Sequence, residues 1–439
     1  MSANNIQHKG FRFLFRALWY RNYRLFFFGH GTSLIGTWMT NIAISWLVYR
    51  LTRSPFLLGF VAFAGQIPSL ILAPLAGVLI DRWNRRRVVL TAQFLAMTQS
   101  LTLAILAVTG VIQVWHIIVL RIFQGLVNAV DIPARQSFIV DMVEDKNDLG
   151  NAIALNSSMF NGARMIGPSV AGIIIALVGE WLCFLLDGLS YVAIIIALFS
   201  MRIKPRAANE TTKPITQGLK EGFDYAFGFV PIRALILMVA MLSVFGFPYL
   251  VLMPIFAKDI LGGGPNTMGF LMGAVGMGAV SGAIFMASRK SVVGLGRVMA
   301  LSVMVFGVGI ILFSLSRNLY LSLALLLFAG FGMMVQMASA NTLLQTIIDD
   351  DKRGRVMSFY SMAFMGMAPF GSLLAGTLAS KLGAPITNII GGTVCLIGAA
   401  IFARNLPRLR EMVRPIFIRL GIIPEVATGI QSTKRLPGK

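Results

Sequence analysis

Acidic residues, histidine and cysteine are scarce in this chain, and each shortage removes a class of function. Its 439 residues include 17 Asp and Glu, three His and two Cys, against 38 Lys and Arg. His8, His30 and His116 are scattered, and the acid-rich stretch VDMVEDKNDLG has no histidine beside it. A membrane-embedded enzyme needs carboxylates or His ligands gathered at helix ends, so that class is disfavoured and no metal site is implied. Cys183 and Cys395 lie far apart in apolar runs without CxxC spacing, which reads as two inert buried thiols. No GxxxxGK[ST] phosphate cradle occurs, so ATP is not the energy source within the chain and no cofactor is expected.

Charge of any sign is also thin. Only 13% of residues are charged, 56% are hydrophobic and mean hydropathy is +0.78. That leaves too little polar surface to cover a water-soluble globule, and the chain belongs in a lipid bilayer. The formal charge of +21 does not point to nucleic acid, because the Lys and Arg fall in short bursts between apolar runs instead of on one face.

A helical crossing takes about twenty apolar residues. Twelve such runs are expected, at roughly 25–48, 56–80, 88–109, 115–132, 151–178, 181–201, 234–256, 267–287, 298–315, 319–347, 356–380 and 385–403. Barrel strands would instead alternate over about ten residues. The first run carries no small-residue cleavage signature and reads as an uncleaved span. Placing the N-terminus in the cytoplasm leaves only Arg50, Arg53, Lys258, Arg317 and Lys381 outside, with Arg121 and Arg164 inside the membrane. The remaining 31 of the 38 basic residues then lie on the cytoplasmic side, so both termini are expected there.

A shift of 204 residues lays NGARMIGPSVAGIIIALVG (161–179) over MGMAPFGSLLAGTLASKLG (365–383). Glycines 150, 162, 167, 172, 179 and 188 fall on glycines 354, 366, 371, 376, 383 and 392. Six matches at one shift argue for duplication. The expected fold is therefore all-α: twelve transmembrane helices in two pseudo-symmetric six-helix bundles, with a substrate chamber near the midplane between them. By residue, 1–24 reads as a cytoplasmic interfacial segment and 25–201 as the first bundle. The polar stretch 202–233 reads as a cytoplasmic linker, 234–403 as the second bundle and 404–439 as a cytoplasmic tail.

The stretch GVLIDRWNRRRVV (77–89) sets Asp81, Arg82, Arg85, Arg86 and Arg87 between two apolar runs. Basic residues there need only topology to explain them; Asp81 needs more. With Gly77, Asp81, Arg82, Arg85 and Arg86, this stretch resembles the loop between spans two and three of the major facilitator superfamily, Asn84 standing where glycine is usual. RIFQG resembles that superfamily's fourth-span motif, with Arg121, Gln124 and Gly125. GARMIGPSVAG, with Gly162, Gly167, Pro168 and Gly172, resembles the fifth-span motif of exporters, where these residues let helices pack closely. The run DIPARQSFIVDMVEDKNDLGNAIALNSSMF resembles the branch holding enterobactin-type siderophore exporters and macrolide efflux pumps.

The resemblance implies a monomeric secondary active transporter in the cell inner membrane. It would export a small, partly hydrophobic molecule of drug or siderophore type by alternating access, in exchange for protons. Uptake or lysolipid transport on the same fold is the alternative; a channel would not need two matched halves. The resemblance also implies a cytoplasmic latch in which Asp81 caps the helix starting near Val356, with Asp131 available to Arg82 or Arg85. The loop after span eight, MASRKSVVGLGRV, has no acid to match Asp81, so the latch would be one-sided.

Inside the membrane an unpaired Arg121 costs roughly 3 kcal/mol and demands a cavity or a partner. Gln124, Asn128 and Asp131 extend its face along span four, and His30, Ser33, Thr37, Asn41 and Ser45 form a similar face on span one. Spans one, four, seven and ten line the chamber in the superfamily, and span ten would add Gln336, Ser339, Thr342 and Gln345. Phe245, Phe247, Tyr249 and Met241 on span seven, with Met333, Met334 and Met337 on span ten, suit bulky ligands. Asp187 is the one acid well inside a span, about 9 Å from its outer start by helical rise. It is the candidate proton carrier, or else a structural partner of Arg121; Arg164 in span five is the other buried cation.

Overall fold

The computed structural model describes residues 15–202, 223–289, 291–349 and 352–423, with the side chains at 73–75, 77–82 and 146 outside the described set. Among these residues there is no strand, and twelve long helices follow one another. The first six are α1 (Arg21–Thr52), α2 (Pro55–Arg82), α3 (Arg85–Val108), α4 (Val114–Met142), α5 (Lys146–Leu177) and α6 (Glu180–Ser200). They continue as α7 (Val230–Ile260), α8 (Pro265–Ser288), α9 (Leu295–Leu315), α10 (Leu319–Ile347), α11 (Arg353–Leu382) and α12 (Ala384–Arg419). Eleven are long and apolar enough to cross a membrane. The exception, α1, is diluted by its own polar residues, yet at 32 residues it matches its neighbours in length and packs against α5 and α6.

Local sequence accounts for the helix ends. Asn84 opens α3 as an N-cap, its side chain accepting from Arg87 N at 3.2 Å, which is a use for asparagine at the usual glycine position. Asp145 and Asn318 cap α5 and α10 in the same way. Gly179 and Gly383, paired by the repeat, both take positive φ (111° and 86°) in the turns before α6 and α12, where a side chain would be strained.

The same helix pairs pack in each half. In the first, α1 meets α5 and α6, α2 meets α4, and α3 meets α4 and α6; in the second, α7 meets α11 and α12, α8 meets α10, and α9 meets α10 and α12. The halves differ in regularity. In α7, π-turns at Leu242–Gly246 and Phe256–Ile260 flank a 3-10 turn at Phe247–Leu250, and α11 has a π-turn at Met362–Gly366. Pro248, Pro254 and Pro369 stand beside these irregular turns and remove backbone donors there. A β-carbon on Gly371 of α11 would sit 2.7 Å from both Ser243 O and Val244 O, so the bent part of α7 is held against α11.

Across the halves, α2 packs on α11 and α5 on α8. Those contacts lie toward the side opposite the start of α1 and the end of α12, here termed the far side, the other being the terminal side. A β-carbon on Gly172 would meet Gly269 Cα at 2.8 Å, and one on Gly59 would meet Gly376 Cα at 2.9 Å. At the far-side ends of α1 and α7, the Tyr49 hydroxyl donates to Asp259 and Arg53 Nη1 lies 3.2 Å from the same carboxylate. Toward the terminal side the contact of α5 with α8 ends. A β-carbon on Gly276 still meets Met165 Cα at 2.7 Å, but nothing lies within 4 Å of one on Gly162. Ser157, Ser158, Ile284, Ser361 and Met365 beyond it are exposed. α5 and α8 thus touch on the far side and part on the terminal side, while α11 still meets α2 at Gly366, where a β-carbon would lie 2.8 Å from Leu70 Cδ1.

Two terminal segments join the helical body. Residues 404–419 continue α12 without a break through Pro407 and Pro415. At 36 residues the helix is about 54 Å long, well beyond the hydrocarbon thickness. Residues 16–19 form a 3-10 turn pinned to the start of α5: Arg16 Nε lies 2.8 Å from Asp148 Oδ1, and the Tyr20 hydroxyl donates to Asp148 Oδ2 at 2.8 Å. That hydrogen bond holds the Tyr20 phenol above its usual pKa.

Candidate functional site

Arg121 lies on α4 with its Nη1 donating to Asn41 Oδ1 on α1 at 2.9 Å, while its Nε is buried without a hydrogen-bond partner. It fits because α2 has Gly65 opposite: a β-carbon there would sit 2.8 Å from Arg121 Nε. Gly125, in the same RIFQG stretch, lets α2 and α4 close up, since its β-carbon would lie 2.6 Å from Gly65 O. Ser69 Oγ donates to Gly125 O at 2.7 Å across that contact. Further along α4, Gln124 Nε2 donates to Asn128 Oδ1 at 3.1 Å and Gln124 Oε1 is left without a partner.

Asp131 does not pair with Arg85, which turns to Asp141, and the Arg82 side chain lies outside the described residues. Its Oδ1 accepts from Gln93 Nε2 on α3 at 2.8 Å, and its Oδ2 lies 2.8 Å from Arg135 Nε one turn further along α4. The Arg135 guanidinium in turn reaches His30 on α1, Nη1 standing 3.2 Å from Nδ1. The apolar run of span four ends at 132, which predicts a cytoplasmic loop at Arg135. In the structure α4 runs on to Met142, and Arg135 is a mostly buried link between α1, α3 and α4. The i, i+4 spacing of Asp131 and Arg135 was the signal available in the sequence. Arg135→Gln leaves a buried carboxylate with an amide in place of its cation and should cost about 3 kcal/mol. Thermal unfolding in detergent should show this fall, with partial recovery in the double variant Asp131→Asn/Arg135→Gln.

Asp187 lies on α6 and is 2% exposed, facing α1 and α3 within the first half. It does not pair with Arg121. Ser100 Oγ donates to its Oδ2 at 2.5 Å, while Oδ1 is buried without a hydrogen-bond partner beside Gly36. Thr37 Oγ1 is 3.3 Å from the Tyr191 hydroxyl, and Thr40 Oγ1 is buried and unpartnered. His30, Thr37 and Asp187 therefore lie inside one half.

Arg164 on α5 faces the other half. Its Nη2 lies 3.9 Å from Met333 Sδ on α10, and its guanidinium stands over the Trp38 ring of α1 at 5.8 Å. The Tyr249 hydroxyl of α7 is buried without a hydrogen-bond partner. Pro168, one turn on, has no N–H to bond the Arg164 carbonyl. On α10, Gln336 and Ser339 are fully buried; Gln336 Nε2 has no partner and Ser339 Oγ contacts Met286 Sδ of α8 at 3.5 Å.

Of the loop 77–89, the side chains of Gly77, Asp81 and Arg82 lie outside the described residues. Arg85 Nη1 is 3.2 Å from Asp141 Oδ2 at the end of α4. Arg86 donates to the carbonyls of Leu198 (2.9 Å) and Phe199 (3.1 Å), which close α6. Both tie α3 to its own half. The fifth-span glycines divide by contact: Gly167 lies against α1, a β-carbon there standing 2.6 Å from Trp38 Cβ, Gly172 lies against α8 and Gly162 is open.

The sequence profile of a family described as transmembrane secretion effector matches residues 14–415. A staphyloferrin A transporter of Staphylococcus aureus is 24% identical over 392 residues, spanning 88% of this chain and 97% of that protein. The multidrug efflux pump Tap of Mycolicibacterium fortuitum is 25% identical over 397 residues, spanning 88% and 96%. Among solved structures, a bacterial homologue of the human lysosomal transporter Spinster, in an inward-facing and unoccupied conformation, superposes with a TM-score of 0.67. It covers 93% of this chain and 99% of that one at 13% identity, a likeness of fold alone.

Proposed function

The chain belongs to the transmembrane secretion effector family of the major facilitator superfamily, and from that premise we propose that it is an efflux-type secondary active transporter. It acts as a monomer in the cell inner membrane with both termini cytoplasmic. A small, partly hydrophobic molecule leaves through a chamber between the halves by alternating access, in exchange for protons. The observation that supports this reading is the contact of α5 with α8, backbone-close on the far side and open at Gly162 on the terminal side, with α2 and α11 likewise backbone-close on the far side. Only a rocking of one half on the other would expose the chamber to both faces in turn. The drug and siderophore transport named for the two relatives supports a substrate of that size.

The test is accumulation of a dye and siderophore panel in cells with and without the gene, with and without an uncoupler. Lower accumulation that vanishes with the uncoupler is expected; gene-independent accumulation would refute the reading.

Asp81, at the terminal-side end of α2, is assigned as the latch that caps the start of α11 when the cytoplasmic side shuts. Loss of one such charge–dipole contact is worth about 1 kcal/mol. Asp81→Asn should therefore keep the fold and lower efflux about 5-fold through the two-state balance. Undiminished efflux by a well-expressed variant would remove the latch.

A further inference from the structure

Two guanidinium groups in the membrane-spanning region have no carboxylate to answer them. Among the described residues no acid of the spans pairs with either of them. Asp131 is held by Arg135 and Gln93, Asp187 by Ser100, Glu180 by Arg50, and Asp259 by Tyr49 and Arg53. Arg121 has one amide oxygen, Asn41 Oδ1, and a buried Nε that bonds nothing. Arg164 has a thioether at 3.9 Å and an indole face, both weak partners for a full charge.

The two cations approach one helix face. Arg121 bonds Asn41 and Arg164 stands over Trp38, and those two α1 residues are three apart, on adjacent turns of α1. Arg164 points from the first half toward Met333 of the second, so it lies where the halves meet. Around it are an indole and a thioether.

We propose that the transported molecule is an anion with an apolar body, its carboxylate or similar group held between Arg121 and Arg164 and its apolar part against Trp38 and Met333. The inference rests on the transport reading above and adds the substrate's charge. Holding cations without counter-charges in a low-dielectric region is costly, and an incoming anion removes that cost through charge-assisted hydrogen bonds. A cationic compound would meet two like charges in the same place, because the acids nearest the chamber are turned into the first half or bound at the far side.

The experiment uses the purified full-length protein and three probes on one scaffold: pyrenebutyric acid, its methyl ester and its trimethylammonium analogue. Unliganded protein is measured first. Arg121→Met and Arg164→Met should each raise Tm, by about 1 °C in a chain of this size. A fall in Tm would make the arginines structural and overturn the proposal. The acid should raise the Tm of the native chain and bind about 10-fold more tightly than the ester, a preference lost in Arg121→Gln and Arg164→Gln.

Equal or reversed preference, or no binding of the acid, overturns the proposal. Everted vesicles separate this from the transport reading. If the acid binds as expected but none of the three probes moves, transport fails and the anion site stands. If the ester and the ammonium analogue move in preference to the acid, transport stands and the anion site falls.

Discussion

Leucine in place of Gly172 stops efflux while the protein remains folded. The position lies on α5 where it crosses α8, and a β-carbon there would be 2.8 Å from Gly269 Cα and from Pro265 O. Those neighbours are backbone, so they cannot swing aside as a side-chain tip would. Overpacking of this kind costs about 1–3 kcal/mol, and here the strain falls only on the conformation closed at the far side. Relief comes from separating the halves at that end, which shifts the two-state balance. A shift of about 3 kcal/mol is more than 100-fold in the equilibrium, enough to remove the far-side-closed state from the cycle. Efflux from intact cells should fall at least about 10-fold, with Tm in detergent close to that of the native chain. Native efflux by a folded Gly172→Leu protein would show that this contact does not gate transport.

Asp187→Asn has the second large effect, and on coupling instead of gating. The carboxylate is buried, hydrogen-bonded at one oxygen by Ser100, and faces no cation among the described residues. An amide can keep the Ser100 hydrogen bond through its oxygen but cannot take up or release a proton. Removing a charge that lacks a partner also lightens the burden of burial, so the variant should be at least as stable as the parent. In proteoliposomes, substrate-driven proton release is expected to drop by about 10-fold or more while substrate binding persists. Unchanged proton release in folded Asp187→Asn would exclude this residue as the carrier.

Much of the architecture was legible because lipid imposes long apolar runs and duplication leaves matched glycines. The twelve expected runs correspond to the twelve helices, and two glycine pairs of the 204-residue repeat recur in matched surroundings across the helix contacts, whereas Gly162 is open and Gly366 is packed. Gly167 packs on α1 as Gly371 packs on α7, and Gly172 meets α8 as Gly376 meets α2. The failures came where a helix outlasts its apolar stretch. Arg135 was read as loop because basic residues near a span end look alike whether they are in water or in a bundle. α12 likewise runs past its apolar part to Arg419.

The facing of polar residues was the other gap. His30, Thr37 and Asn41 share one face of α1, yet they turn to Arg135, Tyr191 and Arg121 respectively, on two different helices. Periodicity groups such residues on a stripe but does not say which neighbour each meets, since that depends on helix crossings set by glycines elsewhere. Asp131 shows the same limit: its cation was four residues away on its own helix, not across the loop.

Distances between spin labels test the central claim of two rocking halves most directly. One pair, on exposed Ser158 of α5 and Ile284 of α8, reports the terminal side; a second, on Leu177 of α5 and Phe270 of α8, reports the far side. In protein actively exchanging substrate, double electron–electron resonance should show each pair sampling a short and a long distance, the terminal-side pair shortening as the far-side pair lengthens. Both pairs fixed at single distances in a transporting preparation would contradict the account.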